Sequence, residues 1–95
     1  MFRITKIFEN DLIFIYKSEG KNTEENLGDW TDEIRLLIKQ SDRQIILEMC
    51  QFTFVSPKAV RSLIELITKD VFLLNSPTLI KNTLHCAGLS ANVLD

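Results

Sequence analysis

The segment Gln44-Ile-Ile-Leu-Glu-Met-Cys-Gln-Phe-Thr-Phe-Val-Ser-Pro-Lys-Ala-Val-Arg-Ser-Leu-Ile-Glu-Leu-Ile67 decides how the chain folds. Ile45, Ile46, Leu47 and Met49 form a near-continuous apolar run, the pattern of a strand covered on both faces. Phe52, Phe54 and Val55 are expected to carry the chain over the end of the sheet. Ser56 stands where a side-chain oxygen can accept from the first free N–H groups of a helix, and Pro57 suits the first helical position. Partners and ligands of open α/β sheets dock at the carboxyl ends of strands. Residues Ser56 to Ser62 are therefore the first candidate site.

Upstream, Phe2 to Phe8 reads as an edge strand, turned at Glu9-Asn10-Asp11 into an apolar inner strand from Leu12 to Tyr16. Ser18 to Asn22 is expected to break that strand. A helix should start near Asn22 or Thr23, with Glu24 and Glu25 favouring the positive end of its dipole. Its apolar stripe is Leu27, Trp30, Ile34, Leu37 and Ile38. Gly28 inside it implies close packing or a kink. Asp29, Asp32, Glu33, Arg35 and Lys39 make a solvated face, since these carboxylates lack the further ligands of a metal site.

Downstream, the helix from Pro57 should bury Ala59 or Val60 with Leu63, Ile64 and Ile67. Val71 to Leu74 is the next strand. Ser76-Pro77 repeats the serine-cap device, starting a helix to Ala87 that buries Leu79, Ile80, Thr83, Leu84 and Ala87. Gly88 supplies the left-handed residue that ends it. Leu89, Val93 and Leu94 are expected to fold back on the core. The order is β-β-α-β-α-β-α: an α/β domain spanning residues 1–95, with one four-stranded mixed sheet and about three helices. Helical crossovers make the later strands parallel neighbours.

A net charge of −2 with scattered Lys and Arg argues against nucleic-acid binding, which needs a basic stripe. There is no signal-peptide core and no apolar run near ~18 residues, so a cytoplasmic protein without membrane insertion is expected. Cys50 and Cys86 have no metal spacing, and buried free thiols are the expected state. His85 and Cys86 are adjacent, which points them about 100° apart on a helix and prevents a Cys–His pair. With no nucleophile–base constellation and no glycine-rich phosphate loop, neither an enzyme nor a cofactor is expected. Trp30 belongs to the core, or anchors a partner if the sheet leaves it exposed.

The run Leu47-Glu48-Met49-Cys50-Gln51-Phe52-Thr53-Phe54-Val55-Ser56 resembles the strand-and-loop signature of STAS domains, the sulphate-transporter and anti-sigma-factor-antagonist fold. Leu73-Leu74-Asn75-Ser76-Pro77, with Leu84, Gly88 and Leu89, is similar to the last strand and helix of that family. Leu27-Gly28-Asp29-Trp30 through Glu33-Ile34 looks like the first helix of small stand-alone bacterial members. The resemblance implies a non-catalytic protein-binding module, docking through Ser56, Lys58, Arg61 and Ser62. Phosphoswitch members carry Asp-Ser-Ser-Gly in the loop, where this chain has Ser56-Pro57-Lys58-Ala59. The usual serine switch is thus not expected, although Ser56 itself could accept phosphate; as a plain helix cap it is already explained. The implied partner is a kinase-like anti-sigma factor. The alternative is an accessory role on an ABC transporter ATPase subunit, and a homodimer is left open.

Overall fold

The order β-β-α-β-α-β-α is the one found in the computed structural model, which describes residues 2–23, 25–54 and 57–94. Strands β1 (Phe2–Glu9), β2 (Ile13–Asn22), β3 (Gln44–Phe54) and β4 (Val71–Leu74) form one sheet in the order β1-β2-β3-β4. β1 and β2 are an antiparallel hairpin, while β2–β3 and β3–β4 are parallel. Helices α1 (Leu27–Gln40), α2 (Pro57–Leu66) and α3 (Thr78–Cys86) follow β2, β3 and β4. Among the described residues no helix is long and apolar enough to cross a membrane.

The sheet is two-faced. Ile45, Leu47 and Met49 alternate toward the core, as do Val71 and Leu73, and all five are buried. They meet Trp30 and Ile34 of α1, Val60, Leu63 and Leu66 of α2, and Ile80 and Leu84 of α3 in one cluster. α1 packs beside α2 and α2 beside α3, so the helices form a single layer. Consecutive right-handed crossovers progressing in one direction place their helices on the same side. The expectation that β3 is covered on both faces is thus corrected: Ile46 lies opposite the helices and is only half-buried.

Several boundaries also move. β2 does not break at Ser18 but runs on to Asn22, because its partner β3 is longer than its apolar run suggested. Opposite Lys17 is Glu48 and opposite Glu19 is Gln51, so Met49 and Cys50 share the space across from Ser18. That bulge resets the alternation. Phe52, three residues after Met49, returns to the core at 1% exposure instead of leaving the sheet. α1 begins at Leu27 rather than near Asn22. The Thr23 N–H donates to Asn26 Oδ1 at 2.8 Å and the Asn26 amide donates to Lys21 O at 3.0 Å, a side-chain-closed turn that competes with helix. Gly28 is not closely packed: a Cβ there would meet nothing within 4 Å.

The last third is corrected in its cap and its stripe. α3 starts one residue late, with Pro77 rather than Ser76 as the flanking residue, and its C=O accepts from Lys81 N–H at 3.1 Å. Ser76 is buried and its Oγ has no hydrogen-bond partner among the described residues. The buried pair is Ile80 and Leu84; Leu79 is 58% exposed, because adjacent helical positions cannot both face the sheet. Leu66 joins the buried face of α2, which the periodicity had missed. Gly88 (φ 78°) closes α3 as expected, with Leu89 N–H donating to Leu84 O and Gly88 N–H to His85 O. The tail then returns: Val93 bridges to Leu73, Leu94 N–H donates to Leu73 O at 2.9 Å, and Asn92 donates to Thr68 O and Val71 O. The outer edge of β4 is covered by its own chain.

Candidate partner-docking face

All three helices begin at the edge of the sheet where β2, β3 and β4 end, so that edge gathers three helix N-termini. At its centre is the start of α2. Pro57 opens this helix as expected, whereas Ser56 lies outside the described residues. Val60, Leu63 and Leu66 turn inward, which sends Lys58, Arg61, Ser62 and Glu65 outward at helical spacing. Lys58, Arg61 and Glu65 are exposed and Ser62 is half-buried. Three of the four expected docking residues therefore share one stripe. Glu65, not singled out from sequence, completes it and was readable from its place four residues after Arg61.

The first turn of α2 contains no acidic residue. Lys58 and Arg61 instead place positive charge near the positive end of the helix dipole, which is unfavourable for the isolated helix by a few tenths of a kcal/mol. Among the described residues neither makes an ion pair.

Beside this edge, on the sheet side away from the helices, lies a second polar group. Glu48 Oε1 accepts from the Cys50 backbone N–H at 2.8 Å and from the Asn75 amide at 3.4 Å. Asn75 adopts φ 56°, a left-handed conformation that asparagine tolerates, as the chain leaves β4. Burial raises the Glu48 carboxyl pKa, but the hydrogen bonds from Cys50 and Asn75 and the nearby Lys17 charge outweigh it, and the net shift is downward. The Cys50 thiol is pushed up, chiefly by its hydrogen bond to Glu48, then by desolvation and by the carboxylate charge.

Both cysteines are free and exposed, which corrects the expectation of buried thiols. Cys50 follows the core-facing Met49 and so falls on the open face of β3, and Cys86 is the last residue of α3, beyond the buried turn at Leu84. His85 Nδ1 meets Ser90 Oγ. Cys50 has a carboxylate neighbour that disfavours the thiolate, the opposite of nucleophile activation. Its alkylation at neutral pH should therefore be slower than that of a small-molecule thiol, despite its exposure. Glu48→Gln should accelerate it several-fold, as followed by mass spectrometry of the native protein; an unchanged rate would mean that the carboxylate does not control the thiol. Trp30 is fully buried, stacked on Phe52 at 5.3 Å between ring centroids, and so belongs to the core.

No protein-family model matches the sequence, and no curated protein matches it. Solved structures do match in shape. The anti-sigma factor antagonist SpoIIAA in its unphosphorylated form aligns over 100% of this chain and 87% of its own, with a TM-score of 0.67 at 16% identity. The Bacillus cell fate determinant SpoIIAA in its phosphorylated form aligns over 100% and 90%, with a TM-score of 0.73 at 15% identity. An anti-sigma-factor antagonist STAS domain from Rhodobacter sphaeroides covers 78% of this chain and 86% of its own, with a TM-score of 0.63 at 16% identity. With the strand order, the single helical layer and the edge where α2 begins, these likenesses give the chain the STAS fold of the anti-sigma-factor antagonists.

Proposed function

We propose that this chain is a non-catalytic, cytoplasmic, single-domain docking module of the anti-sigma-factor-antagonist type. It binds an acidic surface of a protein partner through the start of α2, with Lys58, Arg61 and Ser62 as contacts and Ser56 beside them. The observation that carries this reading is the exposed Lys58 and Arg61 at a helix start, without an ion pair among the described residues, on the fold shared with proteins described as anti-sigma factor antagonists. Charge there destabilises the free helix slightly, so its benefit lies in a complex. A lysine two residues after Ser56 also gives the loop fixed positive charge in place of a reversible negative one, which fits constitutive binding rather than a serine switch.

The test is to capture partners from the native cytoplasm and measure their affinity for wild type, Lys58→Glu and Ser56→Ala at two salt concentrations. Lys58→Glu should weaken binding by at least ~10-fold, mainly through the on-rate, and remove most of its salt dependence. Ser56→Ala should leave affinity within about twofold while removing ~1 kcal/mol of stability as a lost cap. Equal affinities for all three would place docking elsewhere. Capture of an ATPase subunit instead of a kinase or anti-sigma factor would favour the accessory-subunit role.

A further inference from the structure

The sheet face away from the helices carries an apolar row that runs straight across all four strands. Phe8 of β1 pairs with Ile15 of β2, Ile15 with Ile46 of β3, and Ile46 with Phe72 of β4. Phe8 is 46% exposed, the other three are half-buried, and none belongs to the hydrophobic core or packs on it. The next row on the same face is Thr5, Lys17, Glu48 and Leu74, two residues on along β2, β3 and β4 and three residues back along β1, whose register shifts between Lys6 and Phe8. β3 thus has the continuous apolar pattern of a strand covered on both faces, while its own chain covers one.

We propose that a second copy of this chain covers the other face, around a two-fold axis that runs along the strands between β2 and β3. Such an axis exchanges β2 with β3 and β1 with β4 while keeping each row level with itself. Ile15 then lies over the partner's Ile46, and Phe8 over the partner's Phe72. In the next row Lys17 lies over the partner's Glu48, twice by symmetry. Lys17 makes no ion pair among the described residues of its own chain. Within one chain Lys17 is already the cross-strand neighbour of Glu48. The competing two-fold axis, across the strands, sets their row over apolar side chains, over the row of Ile13 and Gln44, or over itself with like charges facing. None of these gives either charge an opposite charge on the partner, so their desolvation is not offset there. The charge pattern therefore selects the axis along the strands.

Two twisted sheets pack face to face with their strands within about 30° of each other, which this axis allows. Four strands about 4.8 Å apart and a few rungs deep make an interface at the small end of specific ones, so a dissociation constant of roughly 1–100 µM is expected. The helices lie on the opposite side of the sheet, so the dimer leaves Lys58 and Arg61 open, and the two proposals can fail separately.

Sedimentation velocity over a series up to about 1 mM chain tests this, with a circular-dichroism melt of each variant to establish folding. Wild type should shift from monomer to dimer along the series. Ile15→Asp should raise the dissociation constant at least ~100-fold by placing charge in the apolar row, and Lys17→Glu should do the same by setting carboxylates against each other at two places. Mixing Lys17→Glu with Glu48→Lys should restore a dimer of near wild-type affinity, because each chain then meets its opposite charge. Should Glu48→Lys not fold, the other two variants decide alone. Wild type that stays monomeric throughout, or a dimer indifferent to both Ile15→Asp and Lys17→Glu, would overturn the proposal.

Discussion

Trp30→Ala should lower the unfolding free energy by about 3–5 kcal/mol, the range for deleting a fully buried large aromatic. Trp30 has no exposed surface and stacks on Phe52, with an interplanar angle of 21°. The indole thus ties the first turn of α1 to the far end of β3, past the bulge. Removing it takes away the transfer energy of the ring, leaves a cavity that backbone on both sides resists filling, and breaks an aromatic pair worth about 0.5–1.5 kcal/mol beyond its area. Small domains have total stabilities near 5–15 kcal/mol, so the loss should be a large fraction, about a fifth or more, of the total. Urea melts of wild type and variant, fitted with a common slope, measure the difference. A loss under about 1 kcal/mol would mean that the ring is replaceable and that α1 is not anchored through it.

What could be read from the residues divides along physical lines. Element order and the core positions Leu47, Met49, Leu63, Leu73 and Leu84 were legible, because apolar periodicity reports which side chains must leave water. The α2 stripe was legible for the same reason, its outward residues being those the inward spacing leaves over. What escaped depends on partners distant in sequence. The continuation of β2 through Ser18 to Asn22 is polar and becomes strand only because β3 offers hydrogen bonds to it. The bulge at Met49 and Cys50 has no local signature, and without it Phe52 reads as leaving the sheet; Cys50 reads as buried only if both faces of β3 are covered. Ser76 followed by Pro77 has the composition of a cap, but Asn75 turns the backbone and shifts the helix start by one residue. The Glu48–Asn75 contact, 27 residues apart in sequence, belongs to the same class.

Leu47→Ala and Ile46→Ala, at adjacent positions of one strand, should differ sharply. Leu47 is fully buried between Tyr16 on β2 and Leu73 on β4, under the helical layer. Its truncation should cost about 2–5 kcal/mol, with the upper half expected because both cross-strand neighbours are fixed in the sheet and cannot close the gap. Ile46 carries a side chain of the same size one residue earlier, on the open face. In the monomer its truncation removes cross-strand contacts with Ile15 and Phe72 and some strand propensity, about 1 kcal/mol. Urea melts at low chain concentration, where self-association is negligible, should therefore separate the two variants by at least about 1 kcal/mol. Equal losses, or a larger loss at Ile46, would mean that the helices cover the other face of the sheet. Raising the chain concentration adds a second reading. If copies pair through the row of Phe8, Ile15, Ile46 and Phe72, wild type gains stability with concentration by mass action, and Leu47→Ala keeps that gain. Ile46→Ala should lose most of it, since the same methyl groups that contribute little to the monomer would lie at the centre of the pair.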